Sequence, residues 1–464
     1  MTIKSPFRTA LFTLTGLLLT CGLLGLALVA TGYIPNPISR KVRNDPGHHN
    51  VFCCLKKARQ AQPDDTIRLY IDSGGNLYPD AEFLPTNTVL RTDPGNSSAD
   101  LEVFYRGPVT EREETTAHAH DRTREPLRQA LYARYGQRDF IPDKTPVWDG
   151  HAWQSIQDRL VNKEAAEIDA ATENGKHPLI ILIHGINVAD TAHLAAVSDC
   201  DNSPCPKANQ VKGNCHRPVP YYTALKSLVR HQKSGVVPKD AVWLEVYWDG
   251  LREQPLFAWG AAQLSARYAG LRLREVLNKV KNTTPIRVLT HSAGGIVISQ
   301  ALWNNDAFNG ADEDEDFIMH WASTTPTPAN PNIRVGMLVP ALTSQAFFYY
   351  GQRTPPVARA QATSYRLVIG RNERDFAVSK EFVGSERFGA TSMGVTSSAF
   401  NYAVQQCSLY PVDLRAVDFC TSTGKADINP LVQYGKTAYE AHDWLLYFRR
   451  ETQMTAFLKD VFND

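Results

Sequence analysis

Apolar residues follow two rhythms along this chain. One is the unbroken run, clearest in HPLIILIHG (His177–Gly185) and repeated in AVWLEVYW (Ala241–Trp248), IRVLT (Ile286–Thr290), IRVGMLV (Ile333–Val339) and YRLVIG (Tyr365–Gly370). A strand buried on both faces, as in a parallel sheet, requires such a run. The other rhythm spaces apolar residues three to five positions apart, as in Ile156, Leu160, Ala165 and Ile168, which is the spacing of a helix face. It predicts helices over Arg124–Tyr135, Trp153–Ala171 and Phe257–Val280, and another in GIVISQALW straight after IRVLT. A last strand, DLRAVDF (Asp413–Phe419), precedes a C-terminal helix running through Phe457. Strands alternating with helices predict an α/β fold: a doubly wound, mostly parallel sheet with right-handed crossovers. Upstream, TIRLYI (Thr66–Ile71) and LEVFY (Leu101–Tyr105) are divided by turn residues and predict antiparallel N-terminal strands.

A third pattern stands apart from these. From Thr9 to Ser39 no side chain is charged, and within that stretch Ala10–Ala30 is rich in leucine. As a helix it would span roughly 30 Å, one bilayer crossing. A cleaved signal peptide has a shorter apolar core, so residues 10–31 are expected to be a transmembrane signal anchor. Basic residues flank the span on both sides, Lys4 and Arg8 before it and Arg40, Lys41 and Arg43 after, and leave its orientation open. Residues 32–64 read as a tether, and 65–464 as the folded domain, with insertions at about 190–220 and 304–332. Because ligands bind at the carboxyl ends of parallel strands, both insertions are candidate covers over a site.

Composition narrows the function. Lysine and arginine number 49 against 48 acidic residues, a net charge of +1, so no basic excess exists to grip a nucleic acid. Beyond Cys21, the cysteines are Cys53, Cys54, Cys200, Cys205, Cys215, Cys407 and Cys420, set in polar stretches. That placement suits disulfides in an oxidising compartment, with Cys407 and Cys420 the nearest local pair. With the anchor it predicts an extracytoplasmic domain, periplasmic in a Gram-negative bacterium. Zinc binding by Cys200, Cys205, Cys215 and His216 is a rival use of the first insertion, and a calcium site a rival use of the acidic run Asp312–Asp316 in the second.

The sharpest chemical signal follows IRVLT: Thr290-His291-Ser292-Ala293-Gly294-Gly295, leading into an apolar helix. A serine on a tight turn between strand and helix exposes its hydroxyl, and small neighbours let the backbones approach. Ser292 is the candidate nucleophile. Here the chain resembles the α/β-hydrolase family of esterases and lipases, whose elbow reads G-x-S-x-G; Thr290 stands where that family has its first glycine. The departure is expected to be tolerated if the strand end leaves room for a small branched side chain.

The resemblance implies further roles. An oxyanion hole would come from the backbone N–H of Ala293 and from that of Ile186, in the loop after His184-Gly185, with Asn187 a lesser side-chain helper. Two histidines follow Ser292, His320 and His442. The family order of serine, acid, histidine favours His442 as the base, because His320 precedes the strand that should carry the acid. After YRLVIG comes Arg371-Asn372-Glu373-Arg374-Asp375, where Asp375 is the candidate acid, Glu373 and Asp418 being fallbacks and a salt bridge to Arg371 or Arg374 the competing use. From about Pro178 onward the chain is similar to a little-characterised bacterial group of α/β hydrolases with an HSxGN-like elbow and an NDxA/S-like acid turn.

The expectation is a membrane-anchored serine hydrolase that cleaves small-molecule or lipid carboxylic esters through an acyl-enzyme, with no cofactor and no metal. The alternatives are an amidase or thioesterase with the same triad, or a catalytically silent fold that binds a partner at the envelope.

Overall fold

A computed structural model of the chain describes residues 15–25, 66–72, 74–83, 105, 124–135, 150–185, 210–211, 214–215, 221–232, 235–248, 255–304, 315–342, 365–372, 375, 378, 392–394, 413–418, 442, 444–448 and 451–463. Seven strands form one sheet: β1 (Thr66–Ile71), β2 (Leu179–Ile183), β5 (Val242–Trp248), β6 (Ile286–His291), β7 (Ile333–Leu338), β8 (Arg366–Arg371) and β9 (Asp413–Asp418). The short strands β3 (Gln210–Val211) and β4 (Asn214–Cys215) pair with each other in the first insertion. The helices are α1 (Arg124–Tyr135), α2 (Gly150–Ala171), α3 (Tyr221–Arg230), α4 (Pro255–Lys279), α5 (Gly294–Trp303), α6 (Glu315–Thr324), α7 (Trp444–Phe448) and α8 (Glu451–Phe462).

The large sheet is ordered β1-β5-β2-β6-β7-β8-β9, and every pairing in it is parallel. Its centre is made of the unbroken apolar runs, and all residues of β2 and β6 are buried. Both faces are covered. Gly336 of β7 lies against Phe457 and Val461 of α8, while Met337, its neighbour in the strand, reaches Gly295 of α5. Successive side chains of a strand point to opposite faces, so α8 and α5 sit on opposite sides of the sheet.

The expected antiparallel start is corrected. β1 pairs parallel with β5, and its one antiparallel contact is an isolated bridge between Ile71 and Leu77; of Leu101–Tyr105 only Tyr105 is described, and it is helical. Side-chain chemistry accounts for the direction. The parallel register matches Arg68 with Glu245 and Tyr70 with Tyr247 at once. The first pair is an ion pair of 2.8 Å, the second a ring stack with centroids 5.0 Å apart. Reversing β1 about the Arg68–Glu245 pair would set Tyr70 against Trp243 and lose the stack. Lys226 of α3 closes the buried ion cluster, 2.7 Å from Glu245.

Of the second insertion, expected as a candidate cover, residues 304 and 315–332 are described. Trp321 of its helix α6 lies beside Gly75, in the turn past the carboxyl end of β1. Ile318 and Ala322 of α6 pack against Tyr268 and Leu271 of α4. The segment after α6 is tied to the opposite, amino end of the sheet, where Asn330 donates to Thr284 O and Asn332 O accepts the N–H of Ile286.

Of the expected anchor 10–31, residues 15–25 are described. They are helical, and Leu17, Leu18, Leu19, Leu23 and Leu24 are exposed. Among the described residues no helix is long and apolar enough to cross a membrane. The tether 32–64 and the Cys407–Cys420 pair lie outside the described residues, and Cys21 is a free thiol.

Candidate active site

Strand order fixes where a site can form. From β2 the chain moves outward to β5, then crosses back over β2 through α4 to enter β6. The reversal opens a crevice at the carboxyl ends of β2 and β6, the place where sheets of this class bind ligands. His184 and Gly185 end β2 there, and His291 and Ser292 end β6.

Ser292 adopts a left-handed backbone with φ 52°, a region that L-residues other than glycine, asparagine and aspartate seldom enter. Three backbone hydrogen bonds hold it. Its N–H donates to Leu338 O at 3.1 Å, and its carbonyl accepts the N–H groups of Gly295 and Ala341, each at 3.0 Å. The turn lets α5 begin at once, and it needs small neighbours. A Cβ at Gly185 would stand 2.8 Å from Ser292 Cβ; one at Gly294 would meet Thr290 Oγ1 and lie 2.6 Å from His184 O. Thr290 therefore fits where it is because position 294 is glycine.

Two other expected residues reach the serine. His442 Nε2 lies 3.1 Å from Ser292 Oγ, and His442 Nδ1 lies 2.7 Å from Asp375 Oδ2. Ionised Asp375 can only accept, so Nδ1 carries the proton and Nε2 is left to accept from the serine hydroxyl. Asp375 is fully buried; its Oδ1 accepts the Val378 N–H at 3.2 Å, and its own N–H donates to Asn372 O at 3.0 Å. The His442 side chain is 24% exposed, which leaves the imidazole the group of the three most open to solvent. The arrangement can move a proton from the serine hydroxyl to an imidazole whose positive charge a buried carboxylate would balance.

Ala293 directly precedes α5, and no side chain caps that end of the helix. In the first turn the Gly295 and Ile296 N–H groups bond back to Ser292 O and Ala293 O, which among the described residues leaves the N–H groups of Ala293 and Gly294 available to an anion. Ile186, Asn187 and Glu373 lie outside the described residues, as do Cys200, Cys205 and His216. Asp418 ends β9 opposite Arg371. His320 is exposed on α6, away from the crevice. Among the described residues no group of three or more His, Cys, Asp or Glu side chains could hold a metal.

Two buried histidines escaped the sequence reading. The register that pairs Ile183 with Thr290 sets His184 beside His291. His184 Nε2 accepts the Trp248 N–H at 3.2 Å, so its Nδ1–H faces Gly185 O at 2.6 Å. Its N–H donates to Tyr222 Oη and its carbonyl accepts the Trp248 indole N–H; these bonds pin the end of β2 beside the serine. Burial lowers its pKa to about 4. The His291 ring lies 4.6 Å from that of His442 and stacks on Trp444 at 5.5 Å. Burial, then the neighbouring His442, holds it well below the usual histidine range. The signal in the sequence was a histidine closing each of two buried runs, His184 and His291, at neighbouring strand ends.

Comparison with family models, with curated proteins and with solved structures finds no match to this chain.

Proposed function

We propose that this protein is a serine hydrolase of α/β-hydrolase type, cleaving carboxylic esters through an acyl-enzyme intermediate. The observation that carries the reading is the hydrogen-bonded chain Asp375–His442–Ser292, with the serine in a left-handed turn at the crevice. In this mechanism Ser292 Oγ attacks the ester carbonyl as His442 Nε2 takes its proton, and Asp375 stabilises the imidazolium. The oxyanion of the tetrahedral intermediate is held by the N–H groups of Ala293 and Ile186. The imidazolium then protonates the departing alkoxide, and water, deprotonated by the same base, hydrolyses the acyl-serine.

The apolar stretch 10–31 is read as a membrane anchor. Support comes from its length without charge and from the five exposed leucines of its described part. An enzyme held at a bilayer meets acyl lipids first, so lipid esters are the preferred substrate class. The cysteine-bearing domain is assigned to the extracytoplasmic side.

A serine-directed fluorophosphonate tests the mechanism. It should label the wild type and leave Ser292→Ala unlabelled, while Asp375→Asn slows labelling by on the order of 10³-fold or more. Equal labelling of wild type and Ser292→Ala overturns the mechanism. Turnover of amide or thioester substrates in preference to esters would keep the triad and change the substrate class.

A further inference from the structure

His442 enters the crevice just ahead of α7, a helix of five residues. So short an element cannot hold an imidazole in line by itself. It is fastened from several sides. Trp444 stacks on His291 of the nucleophile strand, and Phe448 O accepts the Gln232 side chain at 2.7 Å. On the acid side, Asn372 Nδ2 donates to Tyr447 Oη at 2.8 Å. Asn372 is also the frame of the acid turn: its N–H donates to Gly394 O at 2.8 Å, and its carbonyl accepts the Asp375 N–H. One buried residue thus sets where the carboxylate points and grips the helix that delivers the base.

We infer that Asn372 and Tyr447 are positioning residues that fix the Asp375–His442 hydrogen bond; the inference rests on the hydrolase reading for its catalytic consequence. Both side chains are buried, so water cannot substitute for a lost partner. The amide–phenol bond joins the acid turn to the base helix directly, and a ring displaced by a fraction of an ångström no longer meets the serine proton in line.

Tyr447→Phe removes one oxygen and keeps the ring, and Asn372→Ser is the second variant if the first is poorly folded. Each should lower kcat for an ester that the wild type cleaves by about 10-fold, with KM within about 2-fold. The double variant should be no slower than the slower single one, because both cut the same bond. A second readout does not depend on turnover. The low-field proton resonance of His442 Nδ1–H, identified by its loss in Asp375→Asn, should broaden or move in Tyr447→Phe. Unchanged kcat and an unmoved resonance in a folded Tyr447→Phe variant overturn the inference and leave the hydrolase reading standing. A wild type that neither labels nor hydrolyses overturns that reading, and the resonance alone then decides whether the clamp exists.

Discussion

The two ends of α5 treat the same backbone chemistry in opposite ways. At its C-terminal end Arg274, fully buried, donates from Nε to Ala301 O and from its terminal nitrogens to Gln300 O, Thr325 O and Asn304 Oδ1. Carbonyls that the helix leaves over are satisfied by a cation, as the helix dipole favours. At its N-terminal end there is no side-chain cap, a strained serine makes the turn, and the imidazoles nearby are held uncharged. One end is closed for stability. The other bonds Gly295 and Ile296 back into its own turn but, among the described residues, leaves the N–H groups of Ala293 and Gly294 open, which costs stability and leaves a place for an anion.

If that contrast is right, damage at the closed end should strike stability and spare activity. Arg274→Met keeps the stem but abandons the carbonyls. Burial already pulls the guanidinium pKa down to about 10, yet it remains charged at neutral pH, and the bonds it makes offset that burial. Its loss should cost about 4 kcal/mol, read as a fall in the denaturant midpoint. The fluorophosphonate labelling rate per folded molecule should stay within about 3-fold of wild type. A labelling rate that collapses while the fold survives would break the comparison.

The open end should instead be sensitive to acid. In the unfolded chain His184 binds a proton as pH falls through about 6.5, but in the folded protein it does so only near 4. Between those values the unfolded state holds more protons, so stability is complete above about pH 6.5 and declines as pH falls toward 4. The full difference corresponds to about 3 kcal/mol, and His291 acts in the same direction. Urea midpoints at pH 7, 5.5 and 4 measure the slope. His184→Asn, which cannot take up a proton, should flatten it.

How legible this was in the sequence differs from element to element. The central strands could be read because LIILI and IRVLTH are apolar throughout, and only a strand covered on both faces tolerates that. The direction of β1 could not be, since TIRLYI shows which face is apolar but nothing of the Arg68–Glu245 and Tyr70–Tyr247 matches that select parallel pairing. Ser292 and Asp375 could be singled out because each follows the end of an apolar strand, and His442, just ahead of α7, because it comes after both in the serine, acid, histidine order. Arg274 gave no sign, because an arginine in a helix reads as a solvated face until the helix that covers it is known.

Smaller changes probe the open end itself. A Cβ at Gly294 would lie 2.6 Å from His184 O and 2.7 Å from Ile183 O, whereas one at Gly295 would first meet Pro340 Cβ at 3.1 Å. Gly294→Ala must push α5 away from β2 and should cost about 2 kcal/mol, with slower labelling at Ser292. Gly295→Ala gains helix propensity of about 1 kcal/mol against a milder contact and should be near neutral. Thermal unfolding of the two variants side by side separates close approach at one glycine from a general intolerance of side chains.

The smallest effect is also the most discriminating, because it compares two residues in one conformation. Ser292 and Asn304 bracket α5 with φ of 52° and 56°. Ser292→Gly relieves a left-handed serine that makes no capping bond, so the fold should gain about 1 kcal/mol while labelling disappears. Asn304→Gly relieves the same torsion but removes Oδ1 from Arg274, leaving a buried donor short of an acceptor. That variant should lose stability and keep its labelling rate. Opposite signs from one torsion angle would mean that the strain at Ser292 is retained for function and that at Asn304 is compensated locally; equal signs would make both ordinary turns, and the contrast between the two ends of the helix would fall with them.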